Sequence, residues 1–99
     1  MNFNLYKEKQ AIAWKLDERL RRKVLPLYMA PEGSIVRVVR ILGVRGPVRR
    51  LYEFGILPGT ILRVVKTIRP GPAIVEFKGS RLALGYGIAM RMLVEVVST

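Results

Sequence analysis

Residues 49–60 read RRLYEFGILPGT, and the order of signals in this stretch decides the fold. Val48, Leu51 and Tyr52 fall at i, i+3 and i+4, giving one apolar helical face, while Arg49, Arg50 and Glu53 turn away from it. Pro47 suits the first helical position, and Gly55 suits the left-handed residue that closes a helix. Pro58-Gly59 offers the fixed φ and then the positive φ that a type II turn needs. A short helix, a glycine stop, a tight turn and a strand are therefore expected in immediate succession.

Working outward, the chain after Pro26 alternates short Val-, Ile- and Leu-rich runs with glycine and proline punctuation. The runs predict strands over 34–42, 60–68, 73–78, 81–84 and 92–97. Gly79-Ser80 reads as a two-residue type II′ hairpin. A strict period of two puts Ile35, Arg37, Val39 and Ile41 on one face of the first run, and Val36, Val38, Arg40 and Leu42 on the other. Both faces are then largely apolar, which suits a small curved barrel with a covered exterior. The fold class expected is mostly β: an SH3-like barrel of about five strands, with a short helix inserted after the first long strand.

Residues 5–25 predict a basic amphipathic helix that precedes the barrel. Ile12, Leu16, Leu20 and Val24 repeat at i, i+4, Lys15, Arg19, Arg22 and Lys23 take other faces, and Pro26 ends it. The apolar stripe packs on the following domain or docks on a membrane surface or partner helix. The domain reading is an extension over 1–26 and a barrel over 27–99.

The ordered pattern "apolar strand, glycine loop, RRL-x-x-x-G-[IL]-x-P-G-T, apolar strand" resembles the FeoA family, the small ferrous iron transport protein A. The similarity continues upstream in LYMAPEGSIVRVVRI (Leu27 to Ile41) and downstream in PAIVEFKGSRLALGYGIAMRMLVEVV (Pro72 to Val97). One departure is that the opening turn, usually Pro-Gly in the family, reads Pro31-Glu32-Gly33. The resemblance implies an accessory or regulatory role in ferrous iron uptake, and a partner in the cytoplasmic GTP-binding region of the FeoB-type membrane transporter.

Composition narrows the chemistry. The 99 residues suit one domain, and they include no cysteine and no histidine. Disulfides, thiolate or imidazole metal sites and His-based catalysis are excluded. The carboxylates Glu8, Asp17, Glu18, Glu32, Glu53, Glu76 and Glu95 form no obvious shared cleft, so no enzyme activity and no cofactor are expected. Glu53 has Arg49 and Arg50 as neighbours, and these cations oppose divalent metal binding. Gly55 and Gly59, and Gly85-Tyr86-Gly87, lack the Lys-Ser/Thr or acidic partners of a nucleotide site and read as structural turns. No run reaches the length of a membrane-spanning helix and no leader pattern is visible, so a cytoplasmic location is expected. Arg outnumbers Lys twelve to six, a composition compatible with a thermophile.

The formal net charge is +11, with +4 over residues 1–26 and +7 over 27–99. A field of that sign favours anionic partners. The candidate partner-binding residues are Leu51, Phe54, Ile56, Leu57 and Pro58 as an apolar contact surface, with Arg45, Arg49 and Arg50 steering an acidic segment towards it. The competing reading is RNA or DNA, including a metal-dependent transcriptional regulator role. Arg45, Arg49, Arg50, Lys66, Arg69, Lys78 and Arg81 would form a phosphate-binding stripe. Exposed aromatics for base stacking are expected to be few, with Trp14, Tyr28, Tyr52, Phe54, Phe77 and Tyr86 mostly in the core. Apolar strands on both faces and the amphipathic helix also predict self-association as a homodimer.

Overall fold

Six strands share one antiparallel sheet in the order β1-β6-β2-β3-β4-β5. They are β1 (Val24–Pro26), β2 (Ile35–Ile41), β3 (Ile61–Thr67), β4 (Ala73–Phe77), β5 (Ser80–Leu84) and β6 (Met92–Ser98). Helix α1 (Pro47–Glu53) joins β2 to β3, helix α2 (Tyr86–Arg91) joins β5 to β6, and a 3-10 turn spans Leu27–Met29. This computed structural model describes residues 24–43 and 46–98. Residues 5–23 of the expected N-terminal helix, Trp14 and Arg45 lie outside the described residues.

The expected strands are present with ends shifted by about one residue, whereas three other expectations change. Val24-Leu25, read as the end of a helix, is strand: Val24, Leu25 and Pro26 pair with Glu95, Val94 and Leu93 of β6. Tertiary pairing to β6 overrides the local helical pattern there. Among the described residues the sheet has six strands and does not close, since β1 and β5 remain its two edges. The β4–β5 turn is Lys78-Gly79, because Phe77 pairs directly with Ser80. With φ of 50° at Lys78 and 79° at Gly79 it is the type I′ turn, not II′.

Two bulges sort the side chains. Val38 pairs with Val94 but Arg40 pairs with Leu93, so Val39 is the extra residue in β2. Val36, Val38 and Ile41 therefore all face the core, and Ile35, Arg37, Val39 and Arg40 are exposed. An equivalent irregularity at Val65 in β3 puts Leu62, Val64 and Thr67 inside and Ile61, Arg63 and Lys66 outside. The outer face is thus mixed, not apolar: Arg37 pairs with Glu95 at 2.6 Å across β2 and β6. The core gathers Val36, Val38, Leu62, Val64, Val75 and Val94 from the strands, Val48 and Leu51 from α1, Ala89 from α2 and Leu27 from the 3-10 turn.

The opening loop Pro31-Glu32-Gly33 is closed by a backbone bond and a side-chain tie. Ser34 N–H donates to the Pro31 carbonyl at 3.2 Å, and Gly33 has φ 84°. Glu32 ties this loop to the end of β3, where its Oε1 accepts from Thr67 N–H at 2.9 Å.

Candidate partner-binding groove

Local rules build α1 almost completely. Gly46 precedes it at φ 59°, and Pro47 occupies the first turn, where a missing N–H costs no helical bond. At the other end Gly55 has φ 88°. Ile56 N–H donates to Leu51 O at 2.8 Å and Gly55 N–H donates to Tyr52 O at 3.0 Å. These two bonds are the Schellman closure. The next turn is pinned twice: Thr60 N–H donates to Leu57 O at 2.9 Å, and Leu57 N–H donates to Thr60 Oγ1 at 2.9 Å. Gly59, at φ 97°, holds the second central position of the expected type II turn. Gly59 N–H to Val38 O at 2.6 Å and Val38 N–H to Thr60 O at 2.8 Å stitch the turn to β2.

This closure divides the expected contact residues. Leu51 is 3% exposed and Ile56 0%, and both belong to the core. The physical reason is the Schellman motif itself, which brings the third-last helical residue and the second residue past the cap together as an apolar pair. Ile56 is thereby removed from the contact surface, and Leu51 contributes only the floor of a groove. Phe54 is 61% exposed and Leu57 45%. Pro58, Arg49 and Arg50 are exposed as well. Tyr52, expected on the buried helical face, is instead exposed, and so is Tyr86. Three aromatics on the surface are more than the sequence suggested.

The basic residues do not act as one stripe. Arg69 is committed to the fold: its Nη2 donates to the Tyr28 carbonyl at 2.6 Å, and its guanidinium lies 4.8 Å from the Tyr28 ring centre. Arg81 stands 4.0 Å from Glu76. Arg49 lies 3.7 Å from Glu53, whereas Arg50 has no carboxylate partner within 4 Å among the described residues.

A groove of about 360 Å³ runs between α1 and the end of β5. Pro47, Arg50, Leu51 and Phe54 form one wall; Leu82, Ala83, Leu84, Gly85 and Ile88 form the other. Its lining side chains are apolar except for Arg50, and its size sits at the low end of ligand sites, roughly 300–1,000 Å³. The second wall was missed in the sequence. Its signal was the helical spacing of Ile88, Ala89 and Met92, hidden by Gly85 and Gly87 on either side of Tyr86. No three or more carboxylates come together as a metal-holding group among the described residues. No helix among them is long and apolar enough to cross a membrane.

The architecture is that of a small SH3-like β domain whose sheet is left open beside a basic-rimmed apolar groove. The sequence model of the FeoA domain matches residues 25–96. A Methanocaldococcus jannaschii protein named as an Fe(2+) transport protein A is 41% identical over 70 residues, which span 71% of this chain and 84% of that one. The crystal structure of an iron uptake regulatory protein, FeoA, superposes with a TM-score of 0.69 at 33% identity, covering 76% of this chain and all of that chain. A FeoA-like protein from Clostridium acetobutylicum gives a TM-score of 0.67 at 27% identity, over 78% of this chain and 91% of its own. The chain belongs to the FeoA family, whose members are accessory proteins associated with Fe(2+) transport.

Proposed function

We propose that this chain is a cytoplasmic, non-enzymatic accessory protein of ferrous iron uptake that works by binding the cytoplasmic region of an FeoB-type transporter. The observation that carries the reading is the groove between α1 and β5. It joins an apolar floor to the exposed Phe54 and to Arg50, which has no carboxylate partner within 4 Å among the described residues. Apolar anchors in a concave site with charge at the rim are the ordinary anatomy of a peptide-binding surface. Family membership supports the iron-uptake context, and the lack of histidine and cysteine supports a role in which iron is the transporter's cargo, not this chain's ligand.

Pull-down of the full chain from native lysate, with and without nuclease, tests the reading by mass spectrometry. Recovery of the transporter that survives nuclease and is lost in Phe54→Asp supports it. Nuclease-sensitive recovery of ribosomal or other nucleic-acid-bound material favours the nucleic-acid alternative that the +11 charge keeps open.

A further inference from the structure

We infer that β5 is a docking edge that accepts an extended segment of a partner protein as a seventh strand, and that this segment alternates apolar with acidic side chains. The inference deepens the protein-binding role proposed above and rests on it.

Strand β5 ends the sheet on one side, so half of its backbone groups face no neighbouring strand among the described residues. The hairpin fixes which half. Phe77 and Ser80 close a two-residue turn, and such a closing pair exchanges both of its hydrogen bonds. Alternation then turns the N–H and C=O of Ser80, Leu82 and Leu84 towards β4, and those of Arg81 and Ala83 towards the open edge. No turn or loop hydrogen bond among the described residues uses Arg81 or Ala83. The open edge coincides with the groove, since Leu82, Ala83 and Leu84 line it.

Charge specifies the occupant. Across the outer face Arg63 is directly opposite Glu76, and Glu76 is directly opposite Arg81. The ladder runs basic, acidic, basic from β3 to β5 and stops on Arg81. The next strand places a side chain beside Arg81 on that face, and a carboxylate there continues the alternation. Residues one step along the added strand point to the opposite face, where Leu82, Leu84 and Phe54 offer apolar contact. Arg50, with no acidic partner among the described residues, stands at the groove rim and adds attraction for an acidic segment. A basic or a polar-uncharged segment gains neither contact.

The test uses the full chain with a short fluorescein-labelled peptide alternating valine with glutamate, and a second peptide with lysine in place of glutamate. Anisotropy titration is expected to show binding of the glutamate peptide only, together with slowed amide exchange at Arg81 and Ala83. Ala83→Pro removes the outward donor, and proline is tolerated on an edge strand whose N–H faces away from the ladder. That variant is expected to keep its circular dichroism spectrum and lose the peptide. Arg81→Glu is expected to weaken the glutamate peptide by about tenfold and to bring in the lysine peptide. If Ala83→Pro does not fold, the exchange pattern of the unaltered chain decides. Equal binding of both peptides, binding retained by folded Ala83→Pro, exchange protection confined to α1, or no binding up to millimolar peptide overturns the inference. Protection of Arg81 and Ala83 without peptide, with a dimer mass, also overturns it and makes a second copy the occupant. The probe contains no transporter sequence, so its failure leaves the pull-down result standing, and failure of the pull-down leaves the strand addition testable.

Discussion

The two α-helices among the described residues are alike in length and opposite in origin. Helix α1 is set by its own residues: proline in its first turn, glycine at φ 88° after its last, and an apolar pair, Leu51 and Ile56, that the closure drives inside. Helix α2 has glycine at its cap and again within it, and its one fully buried residue is Ala89. What holds α2 is the surface beneath it, where Ile88 and Met90 pack on the core and the rings of Tyr28 and Tyr86 meet in a tilted contact, centroids 4.8 Å apart. A helix made by local rules tolerates changes in its surroundings but not in its punctuation. A helix made by tertiary contact behaves the other way.

The largest expected difference tests where each helix is anchored. Ile56→Ala removes a fully buried side chain from the α1 closure and is expected to cost about 3 kcal/mol. Ile88→Ala, at a half-buried position of α2, is expected to cost about 1–2 kcal/mol. Urea denaturation with unchanged slope measures both. Equal costs would show that α1 has no special dependence on its closing pair.

Punctuation comes next. Gly59 has φ 97°, and a Cβ placed there meets nothing within 4 Å. Gly59→Val is therefore a test of backbone strain alone, with an expected loss of roughly 1–3 kcal/mol. Unchanged thermal stability would refute the type II turn.

Glycine to alanine then separates the helices by sign. Gly55 at φ 88° closes α1, and Gly55→Ala is expected to cost about 1 kcal/mol. Gly87 lies inside α2 with ordinary helical φ and open space for a Cβ, so Gly87→Ala is expected to gain about 0.5–1 kcal/mol. Thermal melts of the two variants should move in opposite directions.

The same contrast explains what the sequence disclosed. The elements of the Arg49–Thr60 stretch were legible because its helix start, glycine stop and turn are enforced by φ, whereas the exposure of Tyr52 and the burial of Ile56 departed from the spacing. The strands were legible as runs. Their faces were not, since a single extra residue at Val39 or Val65 reverses a period-two reading and no local residue type announces it. β1 exists only through its pairing with β6, and helical periodicity across Val24 argued against it. The groove was half legible: Arg50, Leu51 and Phe54 follow from α1 and its cap, whereas Leu82, Ala83 and Ile88 join them only when β5 and α2 are placed, and the exposed Leu57 is not part of its lining. Glycines at 85 and 87 hid that wall.

The smallest expected effect concerns charge at the helix ends. In α1 the Arg49–Glu53 pair stands at 3.7 Å with the two side chains 78% and 66% exposed. Its order is the unfavourable one, with the cation towards the helix start and the carboxylate at the end, against the helix dipole. Attraction within the pair and repulsion from the dipole nearly cancel, and exposure screens both. Glu53→Gln is therefore expected to change stability by less than about 0.5 kcal/mol. In α2 Arg91 sits in the last turn, where a cation is favoured, so Arg91→Gln is expected to cost about 0.3–1 kcal/mol, less at high salt. Denaturation at low and high ionic strength compares the two. A loss above about 1 kcal/mol for Glu53→Gln would mean that the carboxylate is held by more than Arg49. The neighbouring Arg50, with which Glu53 and Phe54 share a shallow surface pocket, would then be the residue to vary next. That outcome would also alter the groove, because an Arg50 engaged by Glu53 is less free to meet an acidic partner.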